Sequence, residues 1–365
     1  MERRPDFLIF FAIVTLLGIG IVMVFSASSI SATIEFDDSS YYLKKQIIAA
    51  AIGILAMLLF MQIDYRRLKK WAPVALLIAL ALLGLVLVEQ VGVEGGGATR
   101  WLHLGPFNLQ PSEVAKISTV LFMAAALSSR RIKITDFFRG LLPLAAMLGI
   151  LFLLILKQPD LGTAITLVAT TVVMLYASGA KAAHLLGLAV CSLPVLWWAV
   201  VGEKYRLQRF LAFLNPEADP LDTGFHIIQS LYAIGSGGLL GVGLGQSRQK
   251  FLYLPERHTD FIFAIIGEEL GLLGTLFVLG LFMLFAWRGC RAAMLAPDRF
   301  GILLGTGIVA MVSIQALVNI GVVTGSMPIT GIPLPFISYG GSSLVFTLAA
   351  VGILLNISRH GTGSS

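Results

Sequence analysis

The sequence predicts an all-α polytopic membrane protein of ten transmembrane helices. Both termini are expected to be cytoplasmic, with one long extracytoplasmic loop between the seventh and eighth helices. Three observations carry this. Hydrophobic residues make up 57% of the 365 residues and charged residues only 13%, where a soluble domain carries roughly 25% charged. Apolar runs of about 20 residues, enough to cross a bilayer as a helix, recur along the whole chain. The basic residues stand in short clusters between those runs. That is the distribution of topology signals and not of a nucleic-acid-binding face, despite a formal net charge of +6.

The chain opens on a basic pair and an apolar stretch from Phe7 to about Ser26, too long for a signal-peptide core and therefore a retained first helix. Helices are expected near 7–28, 46–63, 72–91, 110–129, 139–158, 162–179, 183–202, 259–288, 301–325 and 336–358. With the N-terminus inside, fifteen lysines and arginines fall in inside segments, at Arg3 and Arg4, Arg66 to Lys70, Arg130 to Arg139, Lys181, Arg288 to Arg299 and Arg359. Four fall in the short outside loops, at Lys44, Lys45, Arg100 and Lys157. The positive-inside rule fixes the orientation on that asymmetry. A single domain over 1–360 is expected, and 361–365 reads as a tail or cloning scar. Cys191 and Cys290 stand far apart in apolar context without metal-ligand spacing, and read as small core residues.

The outside segment 203–258 is too long for a plain connection and is not low-complexity, so it is expected to be functional. Phe225, Ile227, Ile228, Leu231, Tyr232 and Ile234 suggest an amphipathic or partly inserted helix. A glycine-rich bend follows. It is not a nucleotide fingerprint, since Leu240 and Gln246 stand where the third glycine would be needed, no strand precedes it and no lysine-serine pair follows.

Ionisable groups within apolar spans are functional candidates by default, and three clusters stand out. QPSEVAK, 110–116, starts a helix. Pro111 suits a first turn, Glu113 lies at the positive end of the helix dipole, and Lys116 shares its face. A local ion pair anchoring the helix end is the plain alternative to a binding role. KQPDLGTA, 157–164, is a short outside turn with an ordinary Pro159, Asp160, Gly162 signal. Lys157 and Thr163 on its two sides could offer hydrogen bonds to a polar head at the membrane surface. The third cluster is LPERHTDFIFAIIGEELG, 254–271. A helix cap at Thr259 or Asp260 would explain one residue. It would not explain Glu256, Arg257, His258 and Asp260 together, nor Glu268 and Glu269 two to three turns into the span. One of those two acids is expected to face the bundle interior or a wet cavity. An acid in a partly dry site has a raised pKa and suits general-base chemistry. The uncharged last outside loop, TGSMPITGIPLPFISYGGSS, reads as rigid and partly re-entrant. All these clusters fall on the outer side. That leaves an enzyme acting on an amphiphilic membrane-borne substrate, or a transporter. A transporter places polar groups near the midplane and shows internal repeats, so the gathering at one interface favours the enzyme.

YLPERHTDFIFAIIGEELG, QPSEVAK, KQPDLGTA, GFHIIQSLYAIGSGGLLGVGLGQSRQKF and TGIPLPFISYGGSSL together resemble the signature segments of the SEDS family, named for shape, elongation, division and sporulation. The resemblance runs from the SAS near residue 27 to VGILLNISR. GQSRQKFLYLPE, APDRFG and NIGVVTG look more like the division and sporulation branch (FtsW and SpoVE) than the elongation branch (RodA). The resemblance implies a peptidoglycan glycosyltransferase that polymerises lipid II at the outer face of the bacterial cytoplasmic membrane. A RodA-type elongation polymerase and a lipid II flippase are the alternatives. It implies that Asp260 is the essential acid, a general base for the acceptor hydroxyl. Lys116 is the expected cation facing the diphosphate leaving group, with Arg206, Arg209, Arg248 and Lys250 as further candidates. Glu113, Lys157, Asp160, Thr163, Glu256, His258 and Ser342 complete the expected substrate contacts. Magnesium or manganese, held partly by substrate phosphates, is the one cofactor expected. The expected partners are a class B penicillin-binding protein, lipid II and membrane lipid. The apolar faces of the 259–288 and 301–325 helices could receive the transpeptidase's single membrane helix.

Overall fold

A computed structural model describes residues 4–88, 92–95, 98–104, 107–129, 132–220, 224–251 and 253–361. Among them are twelve α-helices and one small sheet. Arg3, Arg130, Arg131 and residues 362–365 of the expected tail lie outside the described residues. The helices are α1 (Phe7–Phe36), α2 (Tyr41–Gln62), α3 (Tyr65–Leu85), α4 (Pro111–Leu127), α5 (Leu142–Leu156), α6 (Leu161–Ala177) and α7 (Ala182–Val201), then α8 (Lys204–Leu214), α9 (Phe225–Gly237), α10 (Ile262–Met294), α11 (Arg299–Val323) and α12 (Gly341–Arg359). A π-helical turn, Phe137–Leu141, leads into α5. Eight helices are long and apolar enough to cross a membrane: α1, α2, α3, α5 with its π turn, α7, α10, α11 and α12. α4 and α6, at 17 residues each, are shorter.

Each of the ten expected segments holds a helix. α3 starts well before the expected 72 because the basic run Arg66 to Lys70 is itself helical. Asp64 caps it, accepting a hydrogen bond from Arg66 N at 2.9 Å. Charged residues at a helix end can stay helical while their side chains reach water.

Two expectations are corrected. The chain is not purely α: β1 (Gly92–Gly95), β2 (Ala98–Leu104) and β3 (Phe107–Leu109) form an antiparallel sheet in the order β1-β2-β3, with Leu102 opposite Leu109 and His103 opposite Asn108. The two cysteines are not core residues, since both are exposed on the bundle's outside.

α2 packs on α12, α3 on α4, α10 on α1, α9 and α11, and α11 also on α4 and α6. α10 is broken at Gly271, whose φ of 64° and ψ of −163° are not helical. There the glycine-rich segment after α9 crosses α10 backbone to backbone. A Cβ at Gly271 would come within 2.3 Å of Gly241 N, and one at Gly241 within 2.2 Å of Glu269 O. Only glycine fits both the conformation and the approach. The break frees Leu272 N and Leu273 N, which donate to Gly238 O and Leu239 O at 2.9 and 3.2 Å. Val242 N and Gly243 N donate in turn to Glu268 O and Glu269 O at 2.9 and 3.1 Å.

The bundle has two polar ends. At one, Asp6 meets Arg288 at 2.6 Å, its N–H donates to Ser358 Oγ at 3.0 Å, and Arg66 meets Asp298 at 3.1 Å. The two chain ends therefore lie at the same end. The other end carries the sheet, α8, α9 and the loops 157–160, 254–261 and 324–340, and all three sequence clusters reach it.

Candidate functional site

The segment before α10 is stapled residue by residue. Buried Arg257 donates to Ala27 O of α1 at 3.2 Å and to Leu254 O at 3.3 Å. His258 O accepts from Tyr339 N at 2.9 Å, Thr259 O from Ser338 Oγ at 2.6 Å, and Asp260 O from Asn319 Nδ2 at 2.7 Å. The residue preceding α10 is Phe261, and no side chain caps the helix. The capping explanation for Thr259 or Asp260 therefore does not hold. Thr259 Oγ1 instead donates to Glu256 Oε2 at 2.7 Å. The Asp260 carboxyl accepts no hydrogen bond among the described residues. Burial pushes its pKa up to about 7. The charges of Glu256 and Asp160 push the same way, while Arg209 and Arg100 oppose them. Its backbone is fixed and its carboxyl is unsatisfied.

Asp160 faces this group from the α5–α6 turn. It caps α6, accepting from Thr163 N at 3.0 Å, and takes a second bond from Gln110 Nε2 at 3.3 Å. The turn itself is clamped from outside. Arg100, on β2, donates to Gln158 O at 3.0 Å and to Pro159 O. Tyr205, on α8, donates to Pro159 O at 3.0 Å, and Arg206 to Leu156 O at 3.1 Å. The sheet and α8 thus bring Arg100 and Arg209 into the field of the two carboxylates. Beside this turn lies a cavity of about 370 Å³, lined by Ile150, Leu153, Leu154 and Trp198 and by Lys157, Glu203 and Arg206.

Lys116 is buried on α4. It pairs with Glu113 at 2.9 Å and donates to Gln315 Oε1 at 2.7 Å. The expected local ion pair exists, and it continues into α11: Gln315 Nε2 donates to Pro333 O at 2.9 Å. An ammonium has three donors, so one N–H of Lys116 remains for another acceptor. The 330–332 segment packs on Gly162, and a Cβ on Gly331 would stand 3.5 Å from Asp260 Oδ2.

The remaining expected residues divide. His258 lies between Tyr42 and Tyr339, with ring centroids at 4.4 and 5.7 Å. Burial lowers its pKa below the ordinary histidine value, and its Nδ1 has no partner among the described residues. Ser342 Oγ likewise has no partner among them. Arg248 and Lys250 belong to a second cluster, about 9 Å further along α10 at 1.5 Å per residue. There Glu268 accepts from Ser247 Oγ and from Arg248 N, the latter at 2.8 Å. Glu269 accepts from Ser26 Oγ at 2.7 Å and pairs with Lys250 at 3.5 Å. Both acids are buried. They face the interior, as the sequence required of at least one, and they hold a loop there. Among the described residues no three His, Cys, Asp or Glu side chains converge to hold a metal ion. A divalent ion at the Asp260 end would rest chiefly on the phosphates it accompanies.

Arg100 as a clamp, and the amides Gln315 and Asn319, are not among the expected site residues. The signal was present: SIQALVNIG places two amides four residues apart in an otherwise apolar span, where buried polar groups are expensive.

The family model described as cell cycle protein, for FtsW, RodA and SpoVE, matches residues 7–363. The chain is 48% identical over 359 residues to the stage V sporulation protein E of Bacillus subtilis, covering 98% of each. It is 48% identical over 362 residues to a probable peptidoglycan glycosyltransferase FtsW of Geobacter metallireducens, covering 99% of this chain and 96% of that one. Among solved structures, a chain of a peptidoglycan synthase complex matches with a TM-score of 0.78 at 34% identity, over 97% of this chain and 98% of that one. The rod shape determining protein RodA of Thermus thermophilus matches with a TM-score of 0.72 at 31% identity, over 99% and 98%. Motifs, fold and relatives agree, and the chain belongs to the SEDS family of FtsW, RodA and SpoVE, multi-pass membrane proteins.

Proposed function

We propose that this protein is a peptidoglycan glycosyltransferase that polymerises lipid II at the outer face of the bacterial cytoplasmic membrane, in septal or sporulation wall synthesis. One observation carries the reading. Asp260 is held by its backbone, caps nothing, accepts no hydrogen bond among the described residues, and has a pKa near 7. A structural carboxylate is satisfied; one left to take a proton is not. The relatives named FtsW and SpoVE support the division and sporulation branch over a RodA-type elongation role.

The chemistry follows from the groups at hand. The 4-hydroxyl of an acceptor GlcNAc attacks C1 of a donor MurNAc. Its proton passes to the Asp260 carboxylate. The bond from C1 to the phosphate oxygen breaks, and the electron pair leaves with undecaprenyl diphosphate. A base with a pKa near the working pH suits the first transfer. The free N–H of Lys116, with Arg209 and Arg100, would stabilise the anionic leaving group. Glu113 and Gln315 orient Lys116. Asp160, Thr163, Glu256, His258 and Ser342 border the substrate in this reading, and the cavity beside Lys157 gives room to an apolar chain. Lys250 takes no part in the step, since it is already paired with Glu269. A magnesium or manganese ion would travel with the substrate diphosphate.

Residues 1–360 form a single transmembrane domain in this reading. α4 and α6 complete ten spans, and the ends near Asp6 and Ser358 face the cytoplasm, as the clustering of lysine and arginine there supports. A class B penicillin-binding protein is the proposed partner. The solved relative from a peptidoglycan synthase complex supports this.

The test is lipid II polymerisation by the purified protein, wild type against Asp260→Ala, each with its penicillin-binding protein catalytically blocked. Glycan from wild type alone supports the reading. Equal glycan from both removes Asp260 from the chemistry. Lipid II scrambling without glycan from either would favour the flippase. Against that alternative, the two deepest acids of α10 are occupied by Ser247, Ser26 and Lys250.

A further inference from the structure

We propose that Gln315 and Asn319 are positioning residues that fix the separation between the Asp260 base and the Lys116 cation. This deepens the glycosyltransferase reading and rests on it.

Both amides are buried on α11, at 2% and 1% exposure. Four residues apart, they lie on one face, one turn from each other. Gln315 holds the ammonium of Lys116 through Oε1 at 2.7 Å, and its Nε2 holds Pro333 O at 2.9 Å. Asn319 Nδ2 bridges Asp260 O at 2.7 Å and Ile332 O at 2.8 Å. The two side chains therefore grip adjacent carbonyls of one loop, 332 and 333. From those anchor points one reaches the cation and the other the base.

Three elements that do not adjoin in sequence meet on this face: α4 through Lys116, the segment before α10 through Asp260, and the loop before α12. No other helix touches all three through side-chain hydrogen bonds among the described residues. The second anchor of the same loop, Ser338, holds Thr259 O and the amide of Leu334, and so fixes the loop without reaching the cation. A buried amide is costly in an apolar span unless its bonds are made. Asn319 Oδ1 is left without a partner among the described residues. Its side chain is therefore retained for its two donor bonds, not for a balanced set.

The consequence is geometric. Proton transfer and departure of the diphosphate are concerted demands on two groups from different elements, α4 and the segment before α10. A displacement of about 1 Å in one of them costs about 100-fold in rate. α11 acts as a rigid spacer between them.

The experiment uses the full chain with its blocked penicillin-binding protein. Asn319→Asp keeps the shape and removes both donors. Gln315→Leu removes both bonds. Gln315→Glu keeps the acceptor for Lys116 and loses only the bond to Pro333. Expected for Asn319→Asp is a fall in kcat of about 100-fold, with KM within about twofold and a shifted acid limb of the pH–rate profile. Gln315→Leu is expected to fall as far without moving that limb, and Gln315→Glu to recover part of the loss. Amide hydrogen exchange, read without substrate, should quicken in 258–262 and 330–334 for Asn319→Asp. Wild-type kcat and pH profile in folded variants would overturn the proposal. So would unchanged exchange in those two segments. Wild-type protein that makes no glycan would sink the glycosyltransferase reading instead, and the exchange data would still decide the clamp.

Discussion

Asp260 and Asp298 stand just before consecutive long helices, at opposite ends of the bundle, and their environments are opposites. Asp298 caps α11 by accepting from Gly301 N at 2.9 Å, and also receives Arg66 at 3.1 Å and the Tyr65 hydroxyl. Burial alone would push its pKa up, but those three donors hold it below the ordinary aspartate value. Asp260 has a cap-like position without a cap's bonds, and burial raises it to about 7. Sequence position makes the two alike; donor count separates them. A carboxylate satisfied by several donors is a structural part. One that is half-buried and unmatched is available for proton transfer.

Asp260→Ala is the sharpest way to break this contrast. It is expected to lower polymerisation by about 10²- to 10⁴-fold, with monodisperse protein and retained binding to the penicillin-binding protein. Full activity would leave the unmatched carboxyl without a role. Lys116→Met comes next. Breaking a buried pair costs about 3–5 kcal/mol, so both thermal midpoint and turnover should fall. Adding Glu113→Leu should restore the midpoint and leave turnover low. Recovery of both would make Lys116 a structural residue like Asp298.

Asp298→Ala tests the other arm. Losing the cap should cost about 1 kcal/mol, seen as a lower thermal midpoint, while turnover per folded molecule stays within about twofold. The two aspartates should also respond to pH with opposite sign. For Asp260 the folded pKa, about 7, lies above the ordinary 3.8. Between those values the folded protein holds a proton that the unfolded chain releases, so stability from this group falls as pH rises through that window. Asp298 is depressed; its contribution is present above the ordinary value and is lost as pH falls through the folded one. Thermal midpoints of wild type against Asp260→Asn from pH 5 to 8 read the first effect. The wild-type midpoint should decline relative to the variant, and polymerisation should rise through about pH 7. The smallest effect is expected from Glu256→Gln. Removing that neighbouring charge should move the acid limb down by a few tenths of a pH unit, and Arg209→Gln should move it up.

Much of this was legible in the chain. Ten apolar segments, their order and the grouping of QPSEVAK, KQPDLGTA and LPERHTD at one end follow from hydropathy period and basic-residue asymmetry, both local properties of the sequence. The sheet at 92–109 is not signalled by hydropathy period, because short strands between two long spans carry few residues of signal. Lys116 is the expected cation and Lys250 a further candidate, yet Lys250 locks a loop onto Glu269 while Lys116 joins α4 to α11.

The sequence by itself determined that the chain is a membrane bundle, which end carries the polar clusters, and that Asp260 is among the residues needing an explanation. Those conclusions depend on composition and spacing, which folding does not change. Only the tertiary structure decided that Asp260 caps nothing, that Glu268 and Glu269 anchor a loop, and that Gln315 and Asn319 join Asp260, Lys116 and the loop before α12. Hydrogen-bond satisfaction is set between helices that are distant in sequence, so no pattern along one helix can report it.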